Sequence, residues 1–220
     1  MCIRDRSLDR KAINQVVYGG EQVPDCSPLS PASPWYTKID CSKHDVAAAK
    51  KLVAASGVQT PIPVTLTIGA SNDIQAKLGT VIQGMAKEAG FDVTVKAEES
   101  TTGGNDAKAG NFDAYMNSWS GRIDPDQEIT VFWDPKSAIN YSGADYADVN
   151  QLLQEGRTAT DEAARKQTYA TLTKKLNDYR NYIVLSHDKL EMGVRKNVAG
   201  IDYYADGVVR LKTAGFTSGS

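Results

Sequence analysis

Apolar positions along this chain recur with two periods, and the two periods alternate. Leu8, Ala12, Ile13, Val16 and Val17 share one helical face, which Tyr18-Gly19-Gly20 ends. A long proline-punctuated loop follows to about Asp40, with Trp35 and Tyr36 as the residues that would order it. Ser42-Lys43-His44-Asp45 has the form of a capping box with Ser42 as N-cap, and the helix it opens buries Val46, Ala49, Leu52 and Val53 before Gly57 stops it. Val64, Leu66 and Ile68 alternate with threonines, as in a strand. Next comes a helix with Ile74, Leu78, Val81, Ile82, Met85 and Ala89 inward and Asp73, Lys77, Lys87 and Glu88 outward. Phe91, Val93, Val95 and Ala97 make a second strand. Strand, helix, strand in that order implies parallel strands joined by a right-handed crossover.

Thr101–Gly110, with Gly103-Gly104-Asn105, reads as a flexible connection; its glycines lack the spacing of a dinucleotide loop. Phe112, Ala114 and Met116 then alternate with Asp113, Tyr115 and Asn117, a third strand. Val149, Leu152 and Leu153 begin a short helix, and Asp161–Tyr179 is a stronger one with Tyr169, Leu172, Leu176 and Tyr179 on its core face. Tyr182–Ser186 reads as a buried strand. From Val194 to Leu211 apolar residues alternate between turns at Gly200 and Gly207. The fold class is α/β.

The stretch from Asn111 to Tyr146 carries the candidate chemistry. Its strand breaks at Ser120-Gly121 and delivers Trp119, Arg122, Asp124 and Asp126 in a short irregular segment centred on Pro125. A stacking surface, a guanidinium and carboxylates at a strand end suit a small-molecule site. The plain alternative is a polar surface turn, against which Trp119 argues because an indole is costly to leave there. Asp124, Asp126 and Glu128 alternate as calcium ligands do, but Pro125 interrupts the run and the distal ligands of a calcium loop are absent. A glycosidase pair would need a set separation and one raised pKa. Ser186-His187-Asp188 are adjacent and do not present their side chains to one another as a triad does. His187 reads as structural, and His44 as solvated.

Composition narrows the partners. Hydrophobic residues make up 41% and charged residues 24% of 220, with net charge -2, which argues against nucleic acid or an anionic membrane surface as partner. No apolar run approaches the roughly 20 residues of a membrane span. Residues 1–7 begin with MCIRDR, which resembles a translated adapter, and they are expected to be foreign to a fragment that starts near Leu8. Three cysteines form no metal-binding pattern. Cys26 and Cys41 flank the proline-rich loop and are either a bridge closing it or two buried thiols.

Several segments together resemble the extracytoplasmic solute-binding proteins of ABC transporters, the family with dipeptide, oligopeptide, glutathione and nickel binders. They are LDRKAINQVVYGG, SPWY, AAAKKLVAASGV, EAGFDVTV, NFDAYMNSWSGRIDPDQ, NYSGADYADVNQLL and VRKNVAGIDYYADGVVRL, in the family's order from Leu8 to Leu211. The resemblance implies a type II clamshell of two α/β lobes that closes on ligand by hinge motion. Residues 8–190 would be its C-terminal lobe and 191–220 a tail returning toward the N-terminal lobe. It implies a periplasmic monomer without cofactor or enzymatic activity, passing a small peptide or peptide-like solute to a membrane permease. In dipeptide-binding relatives an aspartate after the Trp-x-Gly segment takes the peptide's amino terminus; here Arg122 stands there, which points toward a carboxylate or phosphate instead. By the same pattern Trp119 stacks on ligand, Asp124 orients Arg122 or takes a ligand donor, and Asn140 and Tyr141 complete the pocket. The rival readings are a hydrolase using Asp124 and Asp126, and an envelope chaperone that holds peptides.

Overall fold

A computed structural model of the chain describes residues 3–204 and 208–217. Its elements in order are α1 (Ile3–Arg6), α2 (Arg10–Tyr18), β1 (Val23–Pro24), α3 (Val46–Ala55), β2 (Ile62–Gly69), α4 (Asp73–Glu88), β3 (Phe91–Glu98), α5 (Ser100–Ala109) and β4 (Ala114–Tyr115). There follow α6 (Pro125–Trp133), α7 (Ala147–Thr158), α8 (Glu162–Tyr179), β5 (Ser186–His187), β6 (Val198–Ala199), β7 (Asp202–Tyr203), β8 (Val209–Arg210) and β9 (Gly215–Phe216).

Strand β2 sits between β3 and β4 and runs parallel to both, from Ile62 opposite Phe91 to Gly69 opposite Glu98. Its centre, Leu66-Thr67-Ile68, is buried on both faces, as a middle strand must be. Helix α4 crosses over from β2 to β3. Asn72 caps it by accepting from the Gln75 amide, and Gly79 lets it approach Val95, whose methyls lie 3.1 and 3.2 Å from where a Cβ would stand. One detail of its inward face differs from expectation. Ile74 is exposed and Gln75 is buried, because the Gln75 side chain reaches the Gly69 amide at 2.7 Å and satisfies the end of β2.

The expected loop over Thr101–Gly110 is instead helix α5. Two parallel neighbours of β2 require a crossover between β3 and β4, and that demand overrides the poor helix propensity of Thr-Thr-Gly-Gly. Gly103 faces Glu98 and Tyr115, both 3.4 Å from its would-be Cβ, so the small residue admits the helix to the sheet. Strand β4 is shorter than its alternation suggests: the Asp113 carboxylate accepts from the Thr65 amide at 2.8 Å, in place of a backbone ladder bond.

A second core lies among α6, α7 and α8. Ile129, Trp133, Val149, Leu153, Tyr169, Leu172 and Leu176 form it, with Leu29 supplied by the proline-rich loop. That loop is tied at both ends. β1 pairs antiparallel with β5, and Cys26 and Cys41 are joined by a disulfide. Closing a loop of 15 residues restricts the unfolded chain enough to stabilise by about 3 kcal/mol. Trp35 packs edge-on against Tyr169 at 6.1 Å between ring centroids.

Two further expectations change. Asp45, not Ser42, caps α3, accepting from the Ala48 amide at 2.8 Å, while Ser42 Oγ accepts from Arg180. Of Tyr182–Ser186 only Ser186 pairs as a strand, because β1 offers two residues for pairing; Tyr182–Leu185 are half-buried. Arg180 caps α8 in the left-handed region at φ 55° and pairs with buried Asp5, as does Arg10. The tail makes two short antiparallel pairs, β6 with β9 and β7 with β8, and leaves Leu190, Val208, Leu211 and Phe216 exposed. Gly200 turns at φ 72°, and Gly207 lies outside the described residues.

Helices α7 and α8 meet where Gly156 faces the buried Tyr169 ring, 2.8 to 3.0 Å from a would-be Cβ. Gly156→Ala is therefore expected to destabilise by about 1–3 kcal/mol through overpacking. Gly84→Ala in α4, where a Cβ meets nothing within 4 Å, is expected to stabilise by about 0.5–1 kcal/mol. Urea unfolding midpoints that move in the same direction would contradict this packing.

Candidate functional site

At the carboxyl end of β4 the chain runs through residues 116–123 and re-enters regular structure at α6. Asp124-Pro125 makes that start: Asp124 accepts from the Asp126 amide at 2.9 Å, and Pro125 takes the first helical position, where no amide donor is needed. The segment expected to be irregular around Pro125 is thus a helix N-terminus, with Asp126 and Glu128 in its first turn opposing the helix dipole.

Neither aspartate meets Arg122. Arg165 of α8 holds Asp124 in a bidentate pair at 2.9 and 3.0 Å, and Arg157 of α7 reaches Asp126 at 3.2 Å. The expectation that Asp124 orients Arg122 is corrected, because a better placed guanidinium claims it. The hydrogen bond from Arg165 is the largest of the effects that lower the Asp124 pKa, with its own burial opposing. A glycosidase acid needs the opposite shift.

Arg122 lies over the Trp119 indole, with its Cζ 4.6 Å from the ring centroid. Its Nη1 donates to Gly121 O at 2.6 Å and to Ser120 Oγ at 3.1 Å, and among the described residues it makes no ion pair. Trp119 packs edge-on against Phe132 at 5.2 Å. The residue that fixes this arrangement is Glu128. Its Oε2 accepts from Trp119 Nε1 at 3.0 Å and from the Arg122 amide at 2.6 Å, while Gly121 makes the turn at φ 78°. Burial raises the Glu128 pKa, with the bonds from Trp119 and Arg122 and the charge of Arg122 working against it. From the sequence Glu128 reads as a calcium ligand or as one of a glycosidase pair, not as the group that holds this loop. An acid one turn into a helix that opens with Asp-Pro was the available signal that it faces back to the preceding loop.

Asn140 is occupied by its own turn. It donates to Asp134 O and Ala144 O and accepts from Ser142 Oγ and the Ala144 amide, so its part is to hold the loop that presents Tyr141. Tyr141 packs edge-on against Tyr115 at 5.8 Å. Trp119, Arg122 and Tyr141 share one open cleft of about 2240 Å³ with Tyr115, Glu128 and Phe132; Asp124 and Asn140 do not line it.

Other candidates resolve into structural roles. His187 Nε2 lies 3.0 Å from Ser27 O, and burial lowers its pKa. His44 Nδ1 lies 3.8 Å from Asp9. Among the described residues one group, Asp25, Cys26 and Cys41, brings metal-ligating atoms together, and the disulfide occupies both sulfurs.

Over residues 6–141 the chain matches the family described as bacterial extracellular solute-binding proteins, family 5 Middle. It is 25% identical over 203 residues to the probable di/tripeptide-binding protein 5 of Pseudomonas aeruginosa, covering 88% of this chain and 38% of that protein. It is 23% identical over 164 residues to the nickel-binding protein NikA of Staphylococcus aureus, covering 73% of this chain and 33% of that protein. Among solved structures, the oligopeptide-binding protein AppA of Bacillus subtilis, in complex with a nonapeptide, has the same fold. The TM-score is 0.87 at 21% identity, over 98% of this chain and 47% of AppA. The chain thus spans less than half the length of each of these relatives.

The two carboxylates that frame the loop titrate with opposite effects on stability. The Asp124 pKa is depressed, so its contribution is present above about pH 4 and is lost as pH falls through the folded value. The Glu128 pKa is raised, so its contribution is present below about pH 4 and is lost as pH rises through the folded value. Melting temperatures between about pH 3 and 7 are expected to show wild type falling toward Asp124→Asn on acidification. Wild type should fall relative to Glu128→Gln on alkalinisation. Differences of the same sign for both variants would overturn these assignments.

Proposed function

This chain belongs to the bacterial extracellular solute-binding proteins of family 5, and on that footing we propose that it captures a small peptide or peptide-like acid for an ABC importer. It would act outside the cytoplasm as a monomer, bind without turnover, and hand its ligand to the membrane permease. Among the described residues no helix is long and apolar enough to cross a membrane. In this reading residues 8–190 form a ligand-binding lobe, and residues 191–220 return toward a second lobe.

The observation that carries the proposal is the Trp119–Arg122 platform. A guanidinium with no carboxylate partner among the described residues, held over an indole, lines a cleft whose wall includes Tyr115, Tyr141 and Phe132. Such a group accepts a carboxylate in bidentate geometry, and the aromatic wall suits apolar side chains beside it. The peptide class is supported by the di/tripeptide-binding relative and by the fold shared with peptide-bound AppA.

Thermal melting of the intact protein against short peptides, glutathione, amino acids and sugars tests this reading, with each peptide also offered as its C-terminal amide. A ligand at a hundred times its dissociation constant stabilises by about 2.7 kcal/mol, a readable shift. The shift is expected to vanish on amidation and to need roughly 10- to 100-fold more peptide in Arg122→Ala, the loss of one charged contact. A shift indifferent to both changes would remove Arg122 as the anchor. Turnover abolished by Asp124→Asn would favour a hydrolase, and unsaturable binding of unfolded chains a chaperone.

A further inference from the structure

We infer that Asp25, Cys26 and Cys41 form a redox-gated site for a thiophilic divalent cation of the zinc class, closed by the disulfide and opened by its reduction. None of the three lines the cleft that holds Trp119 and Arg122, so the site does not depend on what that cleft binds.

Asp25 is a buried carboxylate without a cation. It is 7% exposed, and among the described residues it forms no ion pair. Its Oδ1 accepts from the amides of Cys26 at 2.7 Å and Ser27 at 3.3 Å, while its buried Oδ2 has no hydrogen-bond partner among the described residues. Two titratable side chains feel its charge, and neither supplies a cation. One is the neutral Tyr36 phenol, whose pKa is raised by burial and then by Asp25. The other is His187, whose pKa burial lowers while Ser27 O and Asp25 work against it; its Nε2 lies 3.0 Å from Ser27 O. A carboxylate oxygen buried in this way is costly, and in native folds it marks a place for a donor or an ion.

Soft ligands stand beside that carboxylate. Strand β1 ends at Pro24 and sets Asp25 and Cys26 in place, and Cys41 arrives from the far end of the proline-rich loop. One ligand atom from each of the three lies within 4.8 Å of the others, with Cys41 Sγ 3.8 Å from Asp25 Oδ1. Two thiolates at about 2.3 Å from a tetrahedral zinc stand about 3.8 Å apart, so the three atoms already nearly span one ion. The cysteine Cα atoms are 5.6 Å apart, and rotation of the two side chains separates the sulfurs enough to share it.

In the oxidised chain the sulfurs are bonded to each other, and a single carboxylate does not hold a soft ion. A dithiol reductant changes that. Thiol–disulfide exchange at the half-buried Cys41 breaks the bond, oxidises the reductant to a disulfide and leaves two thiols. The ion then displaces their two protons to solvent and forms two metal–thiolate bonds. Its divalent charge meets two thiolates and one carboxylate, which leaves one net negative charge and gives Asp25 its cation. Three protein ligands leave a fourth position to water. The ion joins Cys26 to Cys41 as the disulfide did, so it keeps closed the loop whose residues 28–34 line the solute cleft.

Cobalt(II) and zinc titrations of the full chain test the site, in a Cys2→Ser background so that every thiolate signal comes from the pair. The reductant is a water-soluble phosphine, which is oxidised to its oxide and adds no competing thiol. The reduced chain is expected to take up one cobalt ion with a thiolate-to-cobalt charge-transfer band, and the oxidised chain none. Zinc is expected to displace the cobalt and to raise the melting temperature of the reduced chain. Cys26→Ser combined with Cys41→Ser should abolish the band, and Asp25→Asn should bind zinc at least about 10-fold more weakly. No band in the reduced chain would overturn the inference, as would the same band before and after reduction, or unchanged zinc affinity in Asp25→Asn. If the variants fail to fold, the comparison of oxidised with reduced chain decides. Should the reduced chain itself unfold, recovery of its circular-dichroism spectrum on adding zinc supports the site, and zinc without recovery overturns it.

Discussion

Arg165 on Asp124 is the contact through which the site loop is fastened to the rest of the molecule. The pair is bidentate, and Asp124 is at the same time the N-cap of α6, so one guanidinium sets where that helix begins. Arg165 also donates to Gly156 O at the end of α7 and lies over the rings of Trp35 and Tyr169. It thereby ties α6, α7, α8 and the disulfide-closed loop at one point. Its energetic worth is modest because Asp124 remains partly in water. Its consequence is geometric: with α6 fixed, Glu128 one turn on is fixed, and with Glu128 fixed, so are the indole and amide that it holds.

How much of this was legible in the chain depends on whether the deciding force was local. The β2–α4–β3 unit and α8 stand where the apolar spacing puts them because burial of one face decides them, with Ile74 and Tyr179 as the members of those faces that are exposed instead. The elements that differ were decided by tertiary demands. Helix α5 exists because two parallel strands need a crossover, a requirement that no propensity in Thr-Thr-Gly-Gly announces. Gln75 displaces Ile74 from the interior because a strand end needs an acceptor. Asp45 rather than Ser42 caps α3 because Arg180, far away in sequence, engages the Ser42 hydroxyl. Asp-Pro before α6 was a local signal, and its meaning as a helix start was available from the residues alone.

The site divides along the same line. Trp119, Arg122 and Tyr141 were picked out by type and by family pattern, and they line one cleft. Asp124 and Asn140 were picked out in the same way and prove to be occupied within the fold, the first by Arg165 and the second by its own turn. Residue type shows what a side chain is able to do; it does not show which partner has already claimed it. Arg165 and Arg157 lie 41 and 31 residues downstream of the aspartates they engage, so nothing near Asp124 in the sequence records the claim.

The fold holds Arg122 and Glu128 apart. Arg122 and Glu128 would gain by pairing with each other, and an exposed pair of that kind is worth only about 0–1 kcal/mol, too little to unseat two backbone-anchored groups. Burial around Glu128 makes its charged form costly and pushes its pKa up, against the bonds from Trp119 and Arg122. The arrangement is stable because the groups maintaining it, Asp124, Arg165 and the amide of Arg122, have partners within the fold.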